Sequence, residues 1–170
     1  MSTLRTLAVI ALAFVILLTG FIWYSSAKTR GTINGFEEKV ISAAKPKRLV
    51  DDWRGLPTPV KRYFEFTFPD GPPRGIAWCE MNIEGQFRRP LKDNFGSSTG
   101  YQVVSVSSPD MAFSMDTEVL GPLWATAYDV YLNGEMEMKA RILSAFTVVD
   151  ESGSPELDRV SLRRWLLESP

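Results

Sequence analysis

The acidic residues whose spacing could support chemistry lie in two pairs, each with one residue between its members. Asp116 and Glu118 form one pair, and Glu135 and Glu137 form the other. On a β-strand, residues two apart share a face and lie roughly 6.5–7 Å apart. Inverting glycosidases place their acid and base ~6.5–9.5 Å apart. Any solvated polar strand face shows the same spacing, so a carboxylate-based hydrolase is only our third hypothesis.

Histidine is absent from the 170 residues, and cysteine occurs once, at Cys79. Without histidine the chain has no serine–histidine or cysteine–histidine nucleophile pair and lacks the commonest zinc ligand. A single cysteine excludes an intramolecular disulfide and a multi-cysteine metal site. The formal net charge is −1, whereas a nucleic-acid surface normally shows a basic patch. We therefore predict no catalytic residues, no metal, no cofactor and no nucleic-acid partner.

Methionine is concentrated in the segments that the sequence predicts to be strands. Methionine is flexible and polarizable, and it is over-used on surfaces that accept varied hydrophobic partners. We predict a surface that binds a hydrophobic or lipid-like ligand and consists of Met111, Phe113, Met115, Met136 and Met138. The alternative is that these side chains only fill the core.

The strands that position these residues are predicted from the alternation of apolar and polar residues that starts at Ile76. They cover residues 77–84, 101–106, 111–119, 124–132 and 135–143, with a further short strand at 146–149. Asn133-Gly134 predicts a two-residue hairpin turn, because both positions of that turn need a positive φ. The pattern indicates an antiparallel meander with one apolar face and one polar, solvated face, to which Glu137, Lys139 and Arg141 belong.

An uncharged apolar run extends from Leu7 to Tyr24. As a helix rising about 1.5 Å per residue it covers roughly 27 Å, close to the hydrocarbon thickness of a bilayer. Trp23 and Tyr24 match the aromatic belt of a membrane interface. We favour an uncleaved anchor in the lipid bilayer, and a signal peptide cleaved near Ser25-Ser26-Ala27 is the alternative. A short basic N-terminus before such a run is typical of export, so we expect a single-pass protein of the cell membrane with an extracytoplasmic body.

The chain divides into three parts by composition. Residues 1–24 form the N-terminal tail and transmembrane helix, and residues 25–55 form a polar juxtamembrane linker with a short amphipathic helix at 36–44. Residues 56–170 form one domain. Short helices are predicted to begin at Thr58-Pro59 and Ser154-Pro155, where an N-cap residue precedes a proline. The fold class is therefore α+β, with short helices and an antiparallel β-meander that could take the form of a partial half-barrel.

Two stretches resemble the signatures of a bacterial membrane-associated domain family of unknown function. They are Leu-Pro-x-Pro-Val-x-Arg-Tyr at residues 56–63 and Pro-Glu-Leu-Asp-Arg…Arg-Trp-Leu at residues 155–166, and residues 127–136 between them resemble the family's central hairpin. The resemblance implies no activity. Related sequences continue with several more strands, so it implies a domain that is shortened at its C-terminus and lacks the second half of its sheet.

The spacing of the strands and the Ser108-Pro109-Asp110 turn bear a looser resemblance to lipoprotein-carrier and lipid-binding domains, which is a likeness of fold only. These features favour a non-catalytic, membrane-anchored protein that binds a hydrophobic or lipid-like ligand at the bilayer surface. The second hypothesis is an interaction module. Its protein partner would complete the sheet by pairing with the sheet edge or the apolar face.

Overall fold

The computed structural model describes residues 2–46, 55–71, 75–89 and 93–168. The helices within these ranges are α1 (Ser2–Ala43), α2 (Thr58–Thr67) and α3 (Pro155–Glu168). The strands are β1 (Trp78–Arg88), β2 (Phe95–Ser105), β3 (Met111–Leu120), β4 (Leu123–Leu132), β5 (Glu135–Ile142) and β6 (Phe146–Ser152).

The six strands form one open antiparallel sheet in which each strand pairs with the next along the chain, from β1 to β6. This arrangement confirms the predicted α+β class and the meander. The hairpin between β4 and β5 turns at Asn133 and Gly134, whose φ angles of 55° and 88° lie in the left-handed region, as predicted for this turn.

α1 is a single uninterrupted helix, so the prediction of a linker at residues 25–35 is wrong. The helix predicted at 36–44 is the C-terminal end of α1. Ser25 and Thr29 are buried, and the Thr29 hydroxyl donates a hydrogen bond of 3.0 Å to the carbonyl oxygen of Ser144 in the β5–β6 turn. Such tertiary contacts outweigh the weak helix propensity of a polar segment that contains glycine. Residues 47–54 of the predicted linker segment lie outside the described residues, as do the terminal Ser169-Pro170.

The N-terminal half of α1 is exposed from residue 3 to residue 21. Its most apolar window of 18 residues has no buried residue, and the helix is long and apolar enough to span a membrane as a single-pass anchor. Contact with the sheet begins at the end of the apolar run, where the rings of Phe21 and Phe146 lie 6.1 Å apart. Trp23 and Tyr24, predicted at the membrane interface, are exposed on the helix at this boundary.

The C-terminal half of α1 covers one face of the sheet. Ile33 and Val40 pack there in a core cluster with Val103, Ala112, Tyr128 and Val130. This is the face that the sequence predicts to be polar and solvated, so that prediction is wrong. Arg141 is half-buried on this face, and its guanidinium donates a hydrogen bond of 2.6 Å to the Thr29 hydroxyl.

α3 covers part of the opposite face. Leu157 and Trp165 of this helix pack on the buried residues Val104, Met111, Tyr131 and Met136. The Trp165 indole donates a hydrogen bond of 3.0 Å to the Ser105 carbonyl oxygen. The helix begins at Pro155 as predicted, and its first turn is closed by the Asp158 N–H, which donates to the Ser154 carbonyl oxygen. The sheet is therefore the middle layer of three.

α2 begins at Thr58, one residue earlier than predicted, because Pro57 rather than Thr58 occupies the N-cap position. None of the residues of α2 is fully buried. Val60 and Tyr63 are exposed, and Phe64 is half-buried.

Candidate ligand-binding cleft

A cleft of about 420 Å³ lies between α1 and strands β2, β3 and β4. The helix contributes four residues at helical spacing to its wall, and the strands contribute residues of the α1-covered face. They include Arg30, Ile33, Asn34, Glu37, Tyr101, Ser114 and Asp116. A volume of this size is in the range of small-molecule sites, which are roughly 300–1,000 Å³.

An ion pair closes the membrane-proximal end of the cleft. The Arg30 guanidinium lies 3.0 Å from the Asp116 carboxylate, and Arg30 is the more exposed partner. The Thr126 hydroxyl also donates a hydrogen bond to Asp116, and Thr126 shares a further hydrogen bond of 2.7 Å with the buried Ser144 hydroxyl. Asp116 is therefore held in place from two sides, while the Arg30 side chain remains open to solvent.

Acidic groups and a tyrosine lie towards the other end of the cleft. Burial raises the pKa of Glu37, and the nearby charge of Glu80 raises it further. Burial also raises the pKa of Tyr101 to about 12, with added contributions from its hydrogen bond to Glu80 and from the charges of Glu80 and Glu37. Tyr101 consequently keeps its proton at any physiological pH and remains a hydrogen-bond donor.

The cleft combines apolar wall with directed polar groups. Ile33 and the ring of Tyr101 supply apolar surface, whereas Glu37 and Asp116 supply two carboxylates against the single guanidinium of Arg30. This charge balance favours a ligand with a neutral, hydrogen-bonding head or a positively charged one over an anion.

The five residues of the predicted ligand-binding surface do not form an open groove in the structure. Met111 and Met136 are only 1% and 7% exposed and belong to the core beneath α3, and Met138 packs against that core. The Phe113 ring is covered by the Arg164 guanidinium at 4.7 Å from its centroid. Met115 alternates with Asp116 along β3, so its side chain lies on the face opposite α1 with Met111 and Phe113, and its main chain borders the cleft. A ligand could reach Met111, Phe113, Met136 and Met138 directly only if α3 moved away.

A polar network fastens α3 over this surface. Arg164 lies 3.0 Å from the Asp129 carboxylate and donates a hydrogen bond of 2.8 Å to the Gln102 side-chain oxygen. Gln102 in turn donates to Glu168 at 2.7 Å. Burial raises the pKa of Asp129, and Arg164 opposes that effect. The network is specific to one position of the helix, because each partner accepts or donates in a fixed direction.

The paired carboxylates are engaged separately and do not converge on one cleft. Asp116 lines the cleft beside α1, whereas Glu118 lines a smaller depression near the β3–β4 turn. Glu137 accepts a hydrogen bond of 2.9 Å from the Tyr128 hydroxyl, and Glu135 is exposed. Among the described residues, no group of three histidine, cysteine, aspartate or glutamate side chains is arranged to hold a metal ion.

The sequence does not reveal the helical wall of the cleft, because residues 25–35 are polar, contain glycine and so predict a linker. Arg30, Ile33, Asn34 and Glu37 follow the i, i+3, i+4, i+7 spacing of one helix face. The buried residues Ser25, Thr29, Ile33 and Val40 follow a similar spacing along the same helix. This spacing is the signal in the sequence that indicates a helix through residues 25–40, but two glycines and several polar residues in the segment obscure it.

The sequence profile of a family of unknown function, DUF6920, matches residues 54–170. The chain belongs to the DUF6920 family. The matched region begins just before α2 and runs through the sheet and α3, so α1 lies outside it. This agrees with the resemblance to a domain family of unknown function and assigns no activity to the domain.

One curated relative of this DUF6920 member is described as a probable potassium transport system protein Kup, from Latilactobacillus sakei subsp. sakei (strain 23K). The two sequences are 27% identical over 140 residues, which cover 78% of this chain and 20% of the Kup protein. The chain therefore spans about a fifth of the length of that relative. No solved structure matches the chain significantly.

Proposed function

We propose that the protein is a membrane-anchored binding protein that takes an amphiphilic, lipid-like ligand at the bilayer surface, in the cleft between α1 and the sheet. One observation carries this proposal: α1 both supplies the apolar span and forms one wall of the cleft. A ligand in the cleft is therefore held next to the membrane by the same helix that anchors the protein.

The packing of α1 supports an anchor that stays attached to the body. Ser25, on one side of the alternative cleavage point, and Thr29, on the other, are both buried in an uninterrupted helix. The contact of Phe21 with Phe146 ties the last turn of the apolar run to the sheet. We propose that the body is extracytoplasmic at the cell membrane. A phosphatase reporter that works only outside the cytoplasm should then be active when fused to the C-terminus. Activity of a cytoplasmic reporter at the same site would instead show that the body faces the cytoplasm.

The lining of the cleft defines the ligand class. The apolar side chain of Ile33 and the ring of Tyr101 suit an acyl or other hydrocarbon segment, and Glu37 and Asp116 suit a head that donates hydrogen bonds or carries a positive charge. No covalent step is required of any group in the cleft, so the proposal is binding without catalysis. The methionine surface beneath α3 remains a separate prediction, since it becomes available to a ligand only if α3 is displaced.

The test compares two tryptophan variants of the full chain purified in a mild detergent. Asn34 lies in the cleft wall and is exposed, so Asn34→Trp should fill the cleft without disturbing the core. Ser42, exposed on the same helix beyond the cleft, gives the matched control Ser42→Trp. Mass spectrometry of lipid extracts should show an amphiphile that is close to stoichiometric in the native protein and in Ser42→Trp.

The same amphiphile should be lost from Asn34→Trp. Lipid retained only around the spanning helix would be present equally in all three proteins. Equal lipid content in Asn34→Trp and Ser42→Trp would therefore reject the cleft as the binding site, as would the absence of any co-purified amphiphile.

A second candidate function is pairing with a protein partner, and the edge strand β1 favours it. β1 is 11 residues long, and among the described residues its sole strand partner is β2. Trp78, Ile83 and Phe87 are exposed along it. A long, apolar, unpaired edge is a template for strand addition. Crosslinking in native membranes from a photoreactive residue at Asn82 should capture one discrete partner if this candidate is correct.

A further inference from the structure

We propose that the hairpins at one end of the sheet contact the headgroup layer of the same bilayer that α1 spans. Because consecutive strands are antiparallel, β1 ends and β2 begins at the same end of the sheet as the β3–β4 and β5–β6 turns, and we call it the hairpin end. The inference depends on the anchor but is independent of a ligand in the cleft. It assigns the body a fixed docking surface on the membrane.

Two contacts with α1 set the level of the β5–β6 turn, one between the rings of Phe146 and Phe21 and one between Ser144 and Thr29. Phe21 lies three residues before Tyr24, the end of the apolar run, and so about 4.5 Å inside that boundary along the helix. The Phe146 ring is 6.1 Å from the Phe21 ring, and Phe146 is itself half-exposed. When Leu7–Tyr24 spans the hydrocarbon layer, Phe146 therefore lies at the membrane boundary.

The ion pair between Arg30 and Asp116 fixes the level of the β3–β4 turn. From Asp116, strand β3 continues four residues to Leu120, which is about 13 Å along an extended chain. From Arg30, α1 returns nine residues to Phe21, which is about 13.5 Å along a helix. The two atoms that join the segments are 3.0 Å apart. Leu120 therefore reaches nearly the same depth as Phe21.

The tips at the hairpin end are unusually apolar for turns. Leu120 and Leu123 flank the Gly121-Pro122 turn, and Leu120 is 72% exposed. Phe87 and Phe95 are exposed beside the neighbouring β1–β2 connection. Turns in water are normally built from glycine, proline and small polar residues. Exposed leucine and phenylalanine side chains at three adjacent tips are what a lipid interface would stabilise.

Charge does not explain the contact, because the described charges at this end balance. Arg88 stacks over the Phe95 ring at 5.5 Å, and Arg89 extends towards the Val119 carbonyl oxygen. Asp93 and Glu118 are exposed nearby and carry the opposite sign. The partner surface is therefore the apolar–polar boundary of the bilayer itself, and zwitterionic lipid alone should suffice.

The test measures the depth of spin labels on the full chain in nanodiscs of phosphatidylcholine. Cys79 is first replaced by serine, and a single cysteine is then introduced by Leu120→Cys, Phe146→Cys or Leu167→Cys. Leu167 is the matched control, because it is an exposed leucine (86%) on α3 and lies away from the hairpin end. Collision with dissolved oxygen reports lipid, and collision with a water-soluble nickel complex reports solvent.

We expect the labels at Leu120 and Phe146 to collide several-fold more often with oxygen relative to nickel than the label at Leu167 does. A Leu120 label as accessible to nickel as the Leu167 label would overturn the proposal. Equal access to lipid at all three positions would overturn it too, since the contact would then not be specific to the hairpin end. If Leu120→Cys alters the unfolding transition, Leu123→Cys replaces it at the same tip. None of these outcomes depends on whether Asn34→Trp loses its amphiphile.

Discussion

The rings of Phe21 and Phe146 lie 6.1 Å apart with their planes tilted by 55°, and they join the spanning part of α1 to the last strand of the sheet. Aromatic pairs at this separation and angle are favourable. The contact lies at the point where α1 stops being exposed and starts to be buried. The apolar run and the sheet are consequently joined by one continuous helix, and the cleft lies along the part of that helix that follows the run.

The burial of Val40 makes α1 part of the stability of the body. Val40 is 0% exposed and packs in the core cluster of the α1-covered face. Val40→Ala should lower the free energy of unfolding by about 2 kcal/mol, through lost burial and a residual cavity. Val9→Ala is the control, because Val9 lies on the same helix in the exposed apolar run. Urea unfolding in detergent, followed by tryptophan fluorescence, should separate the two; equal midpoints would contradict the packing of α1 on the sheet.

The network around Arg164 should control how stability depends on pH. Burial raises the pKa of Asp129 and Arg164 opposes it, so folded Asp129 keeps its proton to a higher pH than the unfolded chain does. Asp129 therefore stabilises the folded state at pH values below the ordinary aspartate pKa, and this stabilisation is lost as the pH rises through the pKa of Asp129 in the folded protein. Arg164→Gln raises that pKa further. At pH 7 the variant should lose about 2 kcal/mol of unfolding free energy, which is below the roughly 3–5 kcal/mol lost when a fully buried pair is broken. At pH 4 the loss should be smaller than at pH 7.

The control for Arg164→Gln is Arg159→Gln, which breaks the exposed pair with Glu156 on the same helix. Exposed ion pairs contribute little, so this variant should unfold like the native protein at both pH values. Unfolding midpoints at pH 4 and pH 7 measure the effect. A loss in Arg164→Gln that is the same at both pH values would show that Asp129 is not the group left unpaired.

A close approach of two strands predicts a large difference between two glycines. A Cβ atom at Gly96 would lie 2.2 Å from the backbone oxygen of Glu118, whereas one at Gly85 would meet nothing within 4 Å. Gly96→Ala should therefore destabilise the body by about 1–3 kcal/mol, because a backbone atom cannot move aside cheaply. Gly85→Ala should be neutral or stabilise it by about 0.5 kcal/mol. Similar thermal midpoints for both variants would rule out this register between β2 and β3.

Tyr101 should keep its proton at pH values at which ordinary phenols ionise. Its pKa is raised to about 12, first by burial and then by Glu80. Tyr101→Phe should therefore leave the absorbance change at 295 nm between pH 9 and pH 11 unaltered in the folded protein. In guanidinium chloride, where phenols titrate near pH ~10, the same variant should lose one tyrosine's share of the signal. Because the folded pKa is raised, stability from Tyr101 is present below pH ~10 and is lost as the pH rises towards the folded value. If Tyr101→Phe lost as much of the absorbance change in the folded protein as in guanidinium chloride, Tyr101 would not have a raised pKa in the folded state.

Local patterns predicted the sheet well and the layers poorly. The alternation along Met111–Leu120, the Asn133-Gly134 turn and the start of α3 after Ser154 each depend on neighbouring residues, and each agrees with the structure. The burial of Thr29 depends on a hydrogen bond to Ser144, 115 residues away. No local pattern shows such a partner.

The cleft could not be predicted from the sequence for the same reason, because its residues meet partners that are distant along the chain. In the sequence Arg30 is an ordinary basic residue after an apolar run, and only the packing of α1 on the sheet places it beside Asp116. Arg141 and Glu137 are polar residues of an outward strand face until α1 and Tyr128 cover them. Polar side chains at alternate strand positions indicate solvent only when no helix packs on that face.

The central claim, that one helix is both the anchor and a layer of the body, is tested most directly by hydrogen exchange of the full chain in lipid nanodiscs. The amides from Thr29 to Val40 should exchange as slowly as those at the centre of β3 and β4, because they open only when the body unfolds. α2, none of whose residues is buried, provides the fast internal reference. Exchange of Thr29–Val40 at the rate of α2, while β3 and β4 remain protected, would contradict the claim.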